Sequence, residues 1–213
     1  MIKAIIFDMG GVLVDLDVEA CKGAYRRDLG YERIDSILDA CHQKGVFGAM
    51  EAGEISADEF RQAILAESRE DARPEDVDAA LSHILVGIAP YKGELLRKLS
   101  KAYDVYMLSN NNPIATPMAR ELFEKAGFSM DRDFKKCYIS YQMKMMKPSV
   151  EFFEAVIEDI GLPGEEMLFI DDSHANVEAA ERVGLQAAYY EQGSDLEALI
   201  RGIVDIDGGG MSC

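Results

Sequence analysis

Five short apolar or β-branched runs punctuate the chain: Lys3 to Asp8, Asp104 to Ser109, Cys137 to Ser140, Met167 to Asp171 and Gln186 to Tyr190. Each has the length of a strand. Between the later ones, apolar residues recur at helical spacing over Ile114 to Ala126, Val150 to Ile160 and Ala175 to Val183. These helical stretches begin near a Pro or a short polar residue. Two of them are followed by Gly127 and Gly161, the expected stop signals. Strands alternating with helices of this length predict an α/β chain, a Rossmann-like parallel sheet in a three-layer α/β/α core. Ligands bind such sheets at the carboxyl ends of the strands.

From about Asp17 to Ile88 the pattern changes. Amphipathic helical stretches run over Glu19 to Leu29, Glu32 to Cys41, Ala57 to Ala66 and Pro74 to Val86, with no convincing strand. A helical block this long between the first and second strands reads as an inserted α-helical cap. The plainer reading is a set of extra helices packed onto the sheet. The expected division is therefore a catalytic core of residues 1–16 and 89–213 and a cap of residues 17–88. There are no internal repeats, and the tail from Asp205 to Cys213, with three consecutive glycines, is expected to fray.

Composition narrows the function classes. A chain of 213 residues, 48% hydrophobic and 29% charged, fits one globular catalytic domain plus a modest insertion rather than a disordered segment. No apolar run approaches the roughly 20 residues that span a bilayer. The N-terminal apolar run meets Asp8 where an export signal would stay apolar, so the cytoplasm is the expected location. Cys21, Cys41, Cys137 and Cys213 have no zinc-site spacing and read as reduced thiols. His42, His83 and His174 form no ligand pattern. The net charge of −17 argues against nucleic acid or an anionic membrane as partner, since both need a basic face. Nothing in the pattern separates a monomer from a homodimer.

The candidate chemistry lies at the predicted strand ends. Asp8 is followed by Met9, Gly10 and Gly11, and two glycines let a backbone wrap closely around an anion. The second strand ends in Ser109-Asn110-Asn111-Asn112-Pro113, which reads equally as a helix-capping loop or as an anion site built from a hydroxyl, an amide and helix N–H groups. Lys147 precedes Pro148 and a helix N-terminus, where a cation is unfavourable unless an anion lies nearby. Lys144 reads as exposed. Asp171 and Asp172 are adjacent acids at the end of an apolar run. They repel each other unless a cation joins them, and hard oxygen ligands of this kind suit Mg²⁺.

In that order, Asp, Ser-Asn, Lys-Pro and Asp-Asp resemble the motifs of the haloacid dehalogenase-like hydrolase superfamily over essentially the whole chain. The segment Met50 to Ser56 and the opening Phe7 to Asp17 are most similar to the branch that holds a glucose-1-phosphate phosphatase of enteric bacteria. The resemblance implies a Mg²⁺-dependent phosphatase acting on a small phosphorylated metabolite, such as a hexose 1-phosphate. Asp8 would attack phosphorus, Ser109, Asn110 and Gly11 would hold phosphoryl oxygens, and Lys147 would neutralise the transferring group. Asp8, the Gly10 backbone carbonyl, Asp171 and Asp172 would form the metal site, with the division between Asp171 and Asp172 left open.

One position departs from the pattern. Most phosphatases of the superfamily carry a second Asp, a general acid and base, where this chain has Gly10. Losing such a group typically costs about 10²–10⁴-fold in rate. An easily departing anomeric oxygen, water or a cap residue would offset that loss, while Asp15 and Asp17 read as linker residues. Lys144 and Met146 also differ from the similar branch. Two other readings are a 2-haloacid dehalogenase, which Asp171-Asp172 disfavours, and a weakly active or non-catalytic phosphometabolite-binding protein, which Gly10 favours.

Overall fold

The computed structural model describes residues 1–38 and 43–206. Cys41, His42, Cys213, the end of the helix expected over Glu32 to Cys41 and most of the expected frayed tail lie outside the described residues. The described strands are β1 (Ala4–Phe7), β2 (Asp15–Leu16), β3 (Leu85–Gly87), β4 (Asp104–Ser109), β5 (Lys136–Ile139), β6 (Met167–Asp171) and β7 (Gln186–Tyr189). The described α-helices are α1 (Val18–Leu29), α2 (Gly45–Glu51), α3 (Ala57–Leu65), α4 (Pro74–Ser82), α5 (Pro90–Leu99), α6 (Ala115–Lys125), α7 (Ser140–Met143), α8 (Val150–Ile160), α9 (His174–Arg182) and α10 (Leu196–Arg201).

Five strands form one parallel sheet in the order β5-β4-β1-β6-β7. Every residue of β1 and β6 is buried, as continuous apolar runs require when both faces of a sheet are covered. The two-residue alternation of a strand then sorts side chains into two layers. Ile5, Phe7, Met107 and Ile170 pack with Leu96 of α5, Phe123 of α6 and Ile200 of α10. Ala4, Ile6, Leu108 and Phe169 pack with Phe152 and Val156 of α8 and Ala180 of α9. The fold is thus the three-layer α/β/α arrangement expected from the pattern, with β1 central.

Helices α1 to α4 close on a separate apolar cluster that includes Tyr25, Phe47, Phe60 and Leu81, joined from the sheet side by Ile114. The chain leaves and re-enters the core through β2 and β3, which pair antiparallel. β3 corrects the expectation that this stretch holds no strand. The helix expected to Val86 ends at Ser82, and three residues are too few to show a period of two. Likewise, Glu32–Ser36 is a short 3₁₀ turn rather than the start of a long helix. Asp15 and Asp17 have local partners at this junction. Asp17 caps α1 by accepting from the Ala20 N–H at 2.8 Å, and Asp15 accepts from the buried Lys92 ammonium of α5 at 2.8 Å.

That Lys92–Asp15 contact generates a stability prediction. An ammonium left buried without its carboxylate carries an uncompensated desolvation cost. Asp15→Ala is expected to lower unfolding stability by about 1–3 kcal/mol, measured by urea denaturation. Lys92→Met in the same background should restore most of the loss.

Candidate active site

β1 pairs with both β4 and β6, Phe7 facing Met107 on one side and Ile170 on the other, so Asp8 and Asp171 emerge side by side at the carboxyl end of the sheet, with Ser109 one position beyond the β4 partner of Asp8. Neighbouring parallel strands lie about 4.8 Å apart and place register partners on the same face. This brings Asp8 beside Asp171, and the Asp8 N–H donates to the Ile170 carbonyl at 2.9 Å. Lys147 reaches in from the loop between α7 and α8. Its ammonium lies 2.9 Å from Asp8 Oδ1 and 2.6 Å from Asp171 Oδ2, and all three residues are buried.

Local structure holds each member. The Met9 carbonyl accepts from the Leu13 and Val14 N–H groups, folding a tight turn directly after Asp8. Gly11 sits in that turn at φ 75°, and a Cβ there would collide with Asp172 Oδ2. Asn110 clamps the Lys147 backbone in both directions, donating from Nδ2 to the carbonyl and accepting the N–H at Oδ1, each at 2.9 Å. One amide hydrogen of Asn110 is left for a ligand. Asp171 Oδ1 accepts from the Ser173 N–H at 2.8 Å and from Asn176 Nδ2 at 2.9 Å, which fixes its carboxylate plane.

The expected site residues are distributed unevenly. Asp8, Lys147, Asp171 and Asp172 converge, Gly11 packs against Asp172, and Gly10 and Asn110 line the same cavity, which measures about 110 Å³. Ser109, expected to bind substrate, is buried and does not line the cavity, its hydroxyl donating to the Asn110 carbonyl at 3.3 Å. Lys144 is exposed, as expected, and so is His174, which stacks on Tyr189 with ring centroids 3.8 Å apart. Cys21 and Cys137 are free thiols that burial pushes up to about 12. Glu51, Asn112 and Asn176, none of which was assigned a role, also belong to the cavity wall; Asn112 lies in the Ser109–Pro113 segment and Glu51 in the Met50–Ser56 segment. Asn176 lies five residues after Asp171 on the first turn of α9, so helical geometry after the acidic pair was a usable signal. Glu51 carries no such signal, because only the closed fold brings α2 over the strand ends.

Charge in this cluster is unbalanced. Three carboxylates face one ammonium, and the oxygens of Asp8, Asp171 and Asp172 all lie within 4.8 Å of one another. Burial and then the neighbouring carboxylates Asp171 and Asp172 raise the Asp8 carboxyl to about 8, although Lys147 pulls the other way. Asp172 rises to about 6, through burial and then Asp171. Burial would lower the Lys147 ammonium, but Asp171 and Asp8 outweigh it and hold it above its ordinary value. Hard oxygen donors with an excess of negative charge, beside the Gly11 turn that only a missing Cβ permits, fit a divalent cation such as Mg²⁺.

Comparison with known proteins agrees with this geometry. A profile of the haloacid dehalogenase-like hydrolases matches residues 2–184. The chain is 34% identical over 196 residues to D-ribitol-5-phosphate phosphatase of Bacteroides thetaiotaomicron, covering 92% of this chain and 95% of that protein. It is 25% identical over 199 residues to a phosphorylated carbohydrates phosphatase of Thermotoga maritima, covering 88% and 84%. Among solved structures, a haloacid dehalogenase-family enzyme of Bacteroides thetaiotaomicron in complex with magnesium and inorganic phosphate superposes with a TM-score of 0.87 and 37% identity, over 94% of this chain and 100% of that one. Asp8, Asp171 and Asp172 offer a set of oxygens that could hold such an ion in this chain.

The raised carboxyls give a signed pH prediction. Unfolded Asp8 loses its proton near 3.8, whereas the folded group keeps it to about 8. The metal-free fold therefore binds more protons across that window and is favoured less as pH rises through it. A cation that binds only the ionised carboxylates opposes this loss. The rise in melting temperature caused by saturating Mg²⁺ is expected to be small at pH 5 and to grow towards pH 8, measured by differential scanning fluorimetry. Gly11→Ala, which drives a methyl onto Asp172, is expected to abolish that rise at every pH.

Proposed function

Because the chain belongs to the haloacid dehalogenase-like hydrolases and is a phosphatase of that family, we propose that it hydrolyses phosphomonoesters of small sugars and polyols, hexose 1-phosphates among them, through an aspartyl-phosphate on Asp8. The observation that carries this reading is the contact of the Lys147 ammonium with both Asp8 and Asp171 at the carboxyl ends of β1 and β6. Residues 17–88 act as the cap in this proposal. They contribute Phe47, Leu81 and Ile84 to the cavity wall, opposite the polar floor of Asp8, Asn110 and Lys147. A wall of that kind suits the C–H faces of a polyol, and the floor suits its phosphate. The proposed setting is the cytoplasm.

In the proposed mechanism one Asp8 carboxylate oxygen attacks phosphorus while the alcohol departs on the opposite side. Lys147 stays against Asp8 and neutralises charge on the phosphoryl oxygens. Asn110 holds the Lys147 backbone in place and offers its remaining amide hydrogen; Gly10 lines the cavity, whereas the Gly11 N–H is already donated to the Val14 carbonyl at 2.8 Å, so the role of Gly11 is to make room for Asp172. Asp8, the Gly10 carbonyl, Asp171 and Asp172 would hold Mg²⁺, which supplies the positive charge that Lys147 alone lacks. Water then attacks the phosphoenzyme, releasing inorganic phosphate and free Asp8. Ser109, whose hydroxyl bonds the Asn110 carbonyl, would support the floor through Asn110.

A panel of sugar, polyol, nucleotide and small-acid phosphates tests the assignment by released phosphate. With Mg²⁺ the sugar and polyol esters should be turned over fastest, and chelation should stop all of them. Asp8→Asn should leave no turnover above background, and Lys147→Met should lower kcat by about 10²–10³-fold. Preference for nucleotides or for small acids would refute the substrate class. Chelator-resistant turnover would refute the metal-dependent reaction.

A further inference from the structure

Gly10 leaves the reaction without its usual neighbouring acid, and the structure places a carboxyl elsewhere on the same cavity. Glu51 is the last residue of α2, in the proposed cap, and it is only 8% exposed. It lines the cavity that Asp8, Gly10 and Lys147 line. Its position is set by the core rather than by the cap alone. The Ser140 hydroxyl, at the start of α7, donates to the Glu51 carbonyl at 2.6 Å, and Ser140 Oγ accepts from the Asn111 N–H at 3.0 Å. Two residues on, Gly53 has φ 69°, and a Cβ there would strike the Tyr141 carbonyl, so this stretch lies directly against α7.

The side chain is held as well. Asn112 Oδ1 accepts from the Ile114 and Ala115 N–H groups at 3.1 and 2.8 Å, capping α6. This orients the Asn112 amide, and its NH₂ donates to the Glu51 carboxyl. An amide donor bonds one carboxyl oxygen and leaves the other able to carry a proton. The charged groups that share the cavity with Glu51 are Lys147, Asp8 and Asp172, and no other charged side chain of α2 lines it. Burial pushes the Glu51 carboxyl up to about 8, against the pull of Lys147 and the Asn112 bond. A carboxyl that is protonated near neutral pH can donate a proton, and its conjugate base can take one back.

Building on the phosphatase reading above, we propose that Glu51 is the general acid and base of this enzyme, delivered from the cap in place of the acid missing at position 10. In the first step Asp8 Oδ forms a bond to phosphorus as the phosphorus–ester oxygen bond breaks. The bonding pair goes to the ester oxygen, which takes the Glu51 proton and leaves as the alcohol. In the second step a water oxygen bonds phosphorus, its proton passes to the Glu51 carboxylate, and the phosphorus–Asp8 bond breaks with its electron pair returning to Asp8. Phosphate departs and Glu51 is protonated again. Because the acid serves the leaving group, esters of ordinary primary alcohols become accessible as well as those of anomeric hydroxyls.

The test compares a primary alkyl phosphate, ribitol 5-phosphate, with 4-nitrophenyl phosphate, whose leaving group needs no proton. Glu51→Gln, nearly isosteric, should lower kcat/KM for the alkyl ester by about 10²–10⁴-fold. With the aryl ester the variant should release a rapid burst of one nitrophenolate per enzyme, followed by slow turnover, because the phosphoenzyme forms but hydrolyses poorly. Glu51→Asp should recover part of the alkyl activity. An undiminished alkyl rate, or equal losses on both esters without a burst, would overturn the proposal. Wild-type pH profiles decide independently of the variants' folding. kcat/KM for the alkyl ester should fall on the alkaline side where that for the aryl ester does not, and coincident profiles would overturn the role. A wild-type protein that releases no phosphate from either ester with Mg²⁺ would instead refute the phosphatase reading, and this proposal with it.

Discussion

Two carboxylates on adjacent parallel strands, Asp8 and Asp171, share one buried ammonium, and much of the molecule serves to keep them there. Like charges at strand spacing repel, and burial strengthens the repulsion because little water intervenes. Lys147 bridges the pair at 2.9 and 2.6 Å, but one positive charge cannot balance three acids. The remaining deficit defines the site chemically. It raises Asp8 and Asp172, and in the proposed reaction a divalent cation would offset it and let an anionic phosphate approach a chain with a net charge of −17. The supporting contacts follow from the same need. Asn110 clamps the Lys147 backbone, Asn176 and the Ser173 N–H fix Asp171, and Gly11 makes room for Asp172.

The fold supplies this geometry cheaply. A parallel sheet with central β1 brings the carboxyl ends of β1, β4 and β6 together, and helices on both faces bury the strands. The long excursion between β2 and β3 carries its own apolar cluster, so it can vary in shape without disturbing the sheet. Among its described residues the buried charged side chain is Glu51, held by Ser140 and Asn112 over the crevice. Division of labour follows in the proposed reaction: the sheet holds the proposed nucleophile and metal ligands, and the helical excursion supplies part of the cavity wall and the proposed proton donor.

Residues whose role depends on strand ends were legible in the sequence. Asp8, Ser109 and the Asp171-Asp172 pair each terminate an apolar run, and parallel topology converts chain order into spatial proximity. Lys147 was legible for a different reason, as a cation misplaced before a helix N-terminus. Glu51 was not. It occupies an ordinary helical position, its partners Asn112 and Ser140 lie far along the chain, and its unusual environment exists only once the excursion has docked. Short elements were missed for lack of length: β3 has three residues and the turn at Glu32–Ser36 is under two helical turns. Asn110 shows the opposite limit. The sequence marked it as a ligand or a cap, but its main engagement is with the Lys147 backbone.

The central claim is that Asp8, poised by Lys147 and completed by magnesium, is the nucleophile. Rapid-quench mass spectrometry of the digested enzyme during turnover addresses it most directly. With Mg²⁺ and substrate, the peptide bearing Asp8 should carry one phosphoryl group in acid-quenched samples, and that label should vanish with chelator or in Asp8→Asn. A phosphoryl group on any other residue, or a label on Asp8 that forms equally well without metal, would contradict the account.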